Sequence, residues 1–341
     1  MPLPPRVSVI VPLYNKAYSV ARCLDSIARQ SFSSFEVIVV DDGSTDGGDA
    51  IVRRYPDSRF RLIEQANAGP GAARNRGTRE AQCEYVAFLD ADDAWLPACL
   101  ETNLAILERH PSVACSSGAL VEYPSGVPCA GRWAARGIAE GVLIVSPATS
   151  PNFLAVAVPF MHSNTTMLRA DAIRRWGGFQ EGGCRFAEDG MLWLRLLLNV
   201  PVFFHLQSIA EIHRESSALS GNYTRPRPVE PFLTDPDALR DVCPAQLRPL
   251  LEGFYAIRAC KTACMLGYWG QWRAAAALMQ RFVSLRHWRV PLFAPALLAC
   301  TPLGGVAGWA GRKLHLHPAS AQDPSSAGVG QGAETAAVGR R

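Results

Sequence analysis

Three carboxylates, Asp90, Asp92 and Asp93, stand almost side by side directly after the apolar run Tyr85-Val86-Ala87-Phe88-Leu89. Packed so closely, they repel one another unless a proton or a cation balances them. A divalent ion is the simplest balance, because Mg²⁺ and Mn²⁺ take oxygen ligands and keep positions open for substrate phosphates. The alternative on these residues alone is a helix cap with solvated neighbours. A second acidic turn, Asp41-Asp42-Gly43-Ser44-Thr45-Asp46, also follows an apolar run. Gly43 suits a tight turn. An ionised aspartate there either holds the turn or accepts the ring N–H of a pyrimidine, a bond worth about 1.5–3 kcal/mol when the acceptor is charged.

Two further groups could complete a site. The stretch Asn67-Ala68-Gly69-Pro70-Gly71-Ala72-Ala73-Arg74-Asn75-Arg76-Gly77 allows close backbone approach and opens a helix at Pro70, whose first N–H groups could face an anion, with Arg74 or Arg76 on a phosphate. Solvent-facing arginines on an amphipathic helix are the other reading. Glu188-Asp189 precedes the periodic apolar residues Met191, Leu192, Leu194 and Leu198. A carboxylate in that place is either a helix cap or a base aimed into a cleft, able to take a proton from an attacking hydroxyl.

These residues need a frame that gathers them. Apolar β-rich runs at 7–11, 37–40, 60–63 and 85–89 alternate with helical patterns through Val20, Leu24 and Ile27, from Pro70, and from about Pro97. That rhythm predicts an α/β fold with a mainly parallel sheet flanked by helices, and ligands outside the carboxyl ends of the strands. A less regular region, about 120–220, is expected to form the lid and acceptor half, with strands at 166–168, 202–205 and 209–213 and a helix over 189–198. Residues 249–286 read as two helices parted near 267–270. The expected units are 1–225, a helical extension 226–316, and a disordered tail 317–341 too poor in large apolar groups to offset ordering entropy.

With 34 basic and 30 acidic residues among 341, the charge balance is too even for an extended nucleic-acid surface. The ten cysteines lack CxxC pairing, so neither a structural zinc site nor disulfides are expected, which fits a cytoplasmic location. No secretory leader is legible in MPLPPR before the first strand. Residues 290–311 carry no charge over about the length of a membrane span, but their prolines and glycines make a poor continuous helix, so peripheral contact with the inner face of a membrane is the alternative to ordinary packing.

In order, VSVIVPLYNK, FEVIVVDDGSTD, NAGPGAARNRG, EYVAFLDADDAW and WGGFQEGGCRFAEDGMLWLRL closely resemble the motifs of the family 2 glycosyltransferases. The resemblance spans about residues 6–220 and implies the GT-A fold, a Rossmann-like sheet. It implies that Pro12, Tyr14 and Asp42 hold the base and ribose of a nucleotide-sugar, that Arg74 and Ala91 lie near the nucleotide, and that Asp90 and Asp92 form the DxD motif binding Mg²⁺ or Mn²⁺ with the diphosphate. Asp93 and Glu188 are nearby acids. Asp189 matches the general base of inverting members, and His213 is similar to a histidine near the metal or diphosphate, although Glu211 stands where relatives often carry arginine. The expected reaction is single displacement from a UDP- or dTDP-sugar to a hydroxyl of a glycan or lipid-linked acceptor. A processive synthase is disfavoured because Gln271-Trp272-Arg273 lacks the QxxRW spacing. A nucleotidyltransferase and a non-catalytic nucleotide-sugar or glycan-binding module are the alternatives.

Overall fold

The computed structural model describes residues 4–182, 184, 186–216, 227–287, 289–290 and 292–304. The expected disordered tail, and the second part of the uncharged 290–311 stretch, lie outside the described residues. Within them, one mixed sheet contains β1 (Val7–Leu13), β2 (Phe35–Asp41), β3 (Phe60–Glu64), β4 (Tyr85–Phe88), β5 (Ala94–Trp95), β6 (Cys115–Tyr123), β7 (Val127–Pro128), β8 (Gly141–Leu143), β9 (Thr166–Arg169) and β10 (Val202–His213). The order is β3-β2-β1-β4-β9-β6-β10-β5, with β7 on β6 and β8 on β10.

The first four strands are parallel: Val9 lies opposite both Val37 and Ala87, and Val39 opposite Leu62. The near-continuous Val and Ile runs of β1 and β2 suit strands buried on both faces. Helix Val20–Ala28 packs one face, since Val20, Cys23, Leu24 and Ile27 recur at helical spacing and are all buried. Because β1, β2 and β4 run the same way, their carboxyl ends open on one rim. β9 then enters antiparallel between β4 and β6, and β6 pairs parallel with β10.

Three local departures from the sequence expectation matter for the site. The two strands expected at 202–205 and 209–213 are one strand whose register against β6 shifts around Ser208, a bulge that restarts the pairing. β6 carries little strand signal in its first half, because Cys115-Ser116-Ser117-Gly118 is small and polar; its buried Ser117 hydroxyl instead bonds Thr166 at 2.9 Å. The helix expected from Pro97 begins at Cys99, and Ala94-Trp95 forms β5, which pairs with Ala210-Glu211 and draws the Asp90–Asp93 loop toward the end of β10.

Helices Arg248–Tyr268, Trp272–Phe282 and Phe293–Ala299 form the C-terminal layer, the first two parted where expected. The layer docks through helix Pro151–Phe160. A Cβ on Gly253 would come within 2.6 Å of Pro151, so the close approach requires glycine. One hydrophobic core runs through both parts.

Candidate active site

The rim formed by β1, β2 and β4 encloses a cleft of about 300 Å³. Of the residues singled out in the sequence, Pro12, Tyr14, Asp42, Arg74, Asp90, Ala91, Asp92 and Glu188 line it. Lys16, Asn67 and Gly69 join them. The loop after β1 turns at Asn15, whose φ of +51° is uncommon for a non-glycine residue. Reciprocal bonds hold this turn against the second acidic loop: Asn15 N–H donates to Ser44 Oγ at 3.1 Å, and Thr45 N–H donates to Asn15 Oδ1 at 2.8 Å.

Asp42 is buried and ties two loops together. Its Oδ1 accepts from Gln65 Nε2 at 2.7 Å and Ala68 N–H at 2.9 Å, and its Oδ2 accepts from Gly69 N–H at 2.8 Å. A carboxylate offers about four acceptor positions, so these three bonds leave one on Oδ2, in a residue that lines the cleft.

The three carboxylates after β4 take three different partners. Asp90 Oδ1 meets Arg74 Nη2 at 2.5 Å, and Asp92 Oδ2 meets Lys16 Nζ at 2.5 Å. Asp93 accepts from His213 N–H at 2.7 Å and from Asn164 Nδ2 at 2.5 Å. Burial works to raise Asp90, but Arg74 and His162 hold its carboxyl below the usual range. Asp92 goes the other way: burial and the Asp90 charge raise it despite Lys16. Burial, then Asp90 and Asp92, push Asp93 well above the ordinary value. Negative charge therefore exceeds what the two resident cations balance.

Arg74 is the keystone of the deeper wall. It is 4% exposed, lies over the Phe179 ring at 5.2 Å, and bridges Asp90 to Glu188, the latter at 2.7 Å. Its helix, Pro70–Glu80, gets this close because a Cβ on Gly71 would fall 2.1 Å from the Gln180 carbonyl oxygen. The alternative phosphate contact, Arg76, pairs with Glu80 at 3.0 Å one helical turn on.

Asp189 stands at the N-cap of helix Gly190–Asn199 yet makes no capping bond through its side chain, so the helix-cap reading does not account for it. The residue before the Glu188-Asp189 pair, Ala187, has φ +53°, a strained value that turns the pair out of the chain's course. Burial, reinforced by the Glu188 charge, raises the Asp189 carboxyl to about 7. Arg74 and Asp90 also act on it through space, which ties it to the acidic rim.

His213 ends β10. Its Nδ1 lies 2.9 Å from Glu215 Oε1, its ring stacks on Tyr123 at 4.9 Å, and its buried Nε2 has no hydrogen-bond partner. With Nδ1–H donated to Glu215, Nε2 presents a lone pair, the arrangement that orients metal-ligating histidines. Glu211 Oε2, the departure noted in the sequence, is 3.8 Å from that nitrogen. Among the described residues, no group of three or more His, Cys, Asp or Glu side chains could hold an ion by itself. The donors fit an Mg²⁺- or Mn²⁺-type ion bound through one or two carboxylates plus substrate phosphate.

Several participants had little sequence signal. Asn164 is fully buried and accepts from Asp90 N–H, donates to Asp93, and accepts the Trp95 indole N–H on its carbonyl at 2.6 Å. His162, beside Asp90, is held neutral-leaning by burial. Lys16 lay inside a quoted motif, but only its 2.5 Å approach to Asp92 assigns it a task.

Residues 8–176 match the sequence profile described as Glycosyl transferase family 2. The chain is 33% identical over 219 residues to the putative glycosyltransferase EpsE of Bacillus subtilis, an alignment covering 62% of this chain and 74% of EpsE. It is 43% identical over 103 residues to the uncharacterized glycosyltransferase YibD of Escherichia coli, but that match spans only 30% of either protein. Among solved structures, S. aureus TarS 1–349 in complex with UDP-GlcNAc superposes with a TM-score of 0.55 at 22% identity, covering 87% of this chain and 82% of TarS. The mannosyltransferase PcManGT from Pyrobaculum calidifontis, in complex with GDP-Man and Mn²⁺, gives 0.55 at 23% identity, covering 92% and 88%. These two likenesses show the fold. Together with the EpsE match and the profile, they establish that the chain is a glycosyltransferase of family 2 with the GT-A fold.

Proposed function

We propose that this enzyme inverts the anomeric centre of a nucleotide-sugar, moving the sugar to a hydroxyl of a glycan or lipid-linked acceptor in one displacement, with residues 1–225 as the catalytic unit. The observation that carries this reading is Asp189: a half-buried carboxylate, spared capping duty, raised to about 7 and joined electrostatically to the acidic rim. Asp189 accepts the acceptor's hydroxyl proton as that oxygen bonds to the anomeric carbon, and the bond from that carbon to the diphosphate breaks with its electron pair on the leaving oxygen. Arg74 fixes Asp90 and Glu188 so that the rim keeps its shape while charge moves. Asp92 and Asp90, with His213 as a further donor, would hold the divalent ion, which supplies charge neutralisation at the leaving diphosphate.

The single unused acceptor position on Asp42 Oδ2 suits the one ring N–H of uracil or thymine, and the exposed Tyr14 ring at the mouth of the cleft offers a stacking face. UDP- or dTDP-sugars are therefore the donors proposed. Mn²⁺-dependent release of nucleoside diphosphate from UDP-, dTDP- and GDP-sugars, with Asp92→Ala as control, tests this. Turnover of a uracil or thymine donor, lost in Asp92→Ala, supports it. Nucleotide binding without turnover marks a binding module, pyrophosphate as product marks a nucleotidyltransferase, and preference for GDP-sugars overturns the role given to Asp42.

A further inference from the structure

Surface helices of a water-soluble domain normally bury leucine and expose alanine. Helix Phe293–Ala299 does the reverse. It packs on helices Arg248–Tyr268 and Trp272–Phe282 through Ala296 and Ala299, which are buried, whereas Leu297 and Leu298 are 49% and 52% exposed. The inward face is small by necessity, since a Cβ on Gly267 would fall 2.4 Å from the Ala299 methyl group. Just before and after it, Leu285, Leu292 and Leu303 are exposed, and Leu292 holds a left-handed φ of +67°, disfavoured for leucine.

The charge along this part of the chain has one sign. From Gly253 to Gly304 the chain has no aspartate or glutamate, against six lysines and arginines. Arg273, Arg281, Arg286 and Arg289 among them are exposed. No described helix is long and apolar enough to cross a membrane. Exposed leucines alternating along the chain with exposed arginines, in a stretch that carries no acid of its own, are the chemistry of a segment lying in the lipid interface, held by apolar insertion and by attraction to anionic headgroups.

We infer that the surface carrying Leu285, Leu292, Leu297, Leu298 and Leu303 docks this protein onto an anionic lipid bilayer, with the leucines entering the headgroup boundary and the exposed arginines, Arg286 foremost, meeting lipid phosphates. This places a proposed lipid-linked acceptor beside the enzyme, but the docking is independent of the transfer chemistry and is read without donor or metal. The test is co-sedimentation of the full chain with phosphatidylcholine vesicles, with and without phosphatidylglycerol. Wild-type protein is expected to bind the phosphatidylglycerol vesicles and to be released as salt rises from about 0.15 M to about 1 M, where screening shortens to about 3 Å. Leu297→Ser with Leu298→Ser lowers partitioning at least about tenfold through lost apolar insertion, and Arg286→Gln with Arg289→Gln about fivefold for each arginine. The arginine pair keeps the test open should the leucine pair fail to fold. Failure of wild-type protein to bind either vesicle overturns the inference, as does binding unchanged in both double variants. A dimer in sedimentation velocity that the leucine substitutions dissolve, without vesicle binding, assigns the face to a second copy instead. Retained donor turnover in these variants separates a docking defect from a failed active site.

Discussion

The cleft wall and the C-terminal helical layer share one core but treat charge in opposite ways. At the cleft, acids outnumber bases and the buried cations are committed: Arg74 serves two carboxylates and Lys16 a third. In the C-terminal layer, acids are missing over a long stretch and arginines face outward beside exposed leucines. A surplus of carboxylates in a concave, half-buried place calls for a cation or a proton, which is chemistry. A surplus of arginines on a convex apolar face calls for an anionic surface, which is location. The same elementary rule, that an excess of one charge favours the opposite one, thus assigns the two regions different partners.

The largest expected effect tests the cleft half of that comparison. Asp189→Asn keeps the size of the side chain but removes the proton acceptor, so turnover should fall by about 10² to 10⁴. Donor affinity, measured by calorimetry, should hold. In the wild type, a base with its carboxyl raised to about 7 must lose its proton to work, so kcat/KM should climb through that pH and level above it, by about tenfold between pH 6 and pH 8. The climb should vanish in Asp189→Asn. Sign matters for stability as well: a folded-state value above the unfolded one favours the protonated fold, so this group's contribution declines as pH rises from about 4 toward 7. An Asn variant with near-normal turnover, or a flat pH profile in the wild type, would remove Asp189 from the reaction.

Next in size is a test of how the two regions are joined. Glu230 is buried and receives Arg258 and, at 2.8 Å, the Thr262 hydroxyl, both from helix Arg248–Tyr268. Arg258 Nε already lacks a partner. Glu230→Ala strands a mostly buried guanidinium, which should cost about 3 kcal/mol in urea unfolding. Donor binding should survive if the cleft is specified by its own constellation. Loss of both together would show that the cleft depends on the layer behind it.

How much of this was legible in the sequence follows from the range of the interactions. The first four strands and the acidic turns were readable because each signal is local: a short apolar run such as residues 37–40, then polar turn residues at its end. Asp90, Asp92, Arg74 and Glu188 could be placed on one rim because parallel strands put their carboxyl ends together. What could not be read was pairing across distance. Nothing in the sequence says that Arg74 would be used up by Asp90 and Glu188, sixteen and 114 residues away, or that Asn164 would hold the Asp90–Asp93 loop. β6 escaped because its buried first half is mostly small and polar, Ser116, Ser117 and Gly118, which carry no apolar pattern. The Asp189 cap question was open in sequence for the same reason: capping is a matter of side-chain direction, and only coordinates supply it.

The smallest effect, and the one that most sharpens the comparison, concerns Lys16. Its ammonium is half-buried against Asp92 at 2.5 Å and near the Tyr18 hydroxyl at 3.2 Å, so it occupies the carboxylate through which a divalent ion would be held. If the cleft is a carboxylate site balanced by a resident cation until donor arrives, Lys16→Met exchanges a competitor for a neutral side chain. Partly buried pairs of this kind are worth about 1 kcal/mol, and removal of the competitor should therefore tighten Mn²⁺ binding to the donor-free protein by about fivefold. The measurement is Mn²⁺ titration followed by electron paramagnetic resonance, with no nucleotide present and no turnover involved. Affinity that falls would mean that Lys16 orients Asp92 for the ion and does not compete with it. Unchanged affinity would place the ion away from Asp92, and the surplus of acid on this wall would then need a different cation.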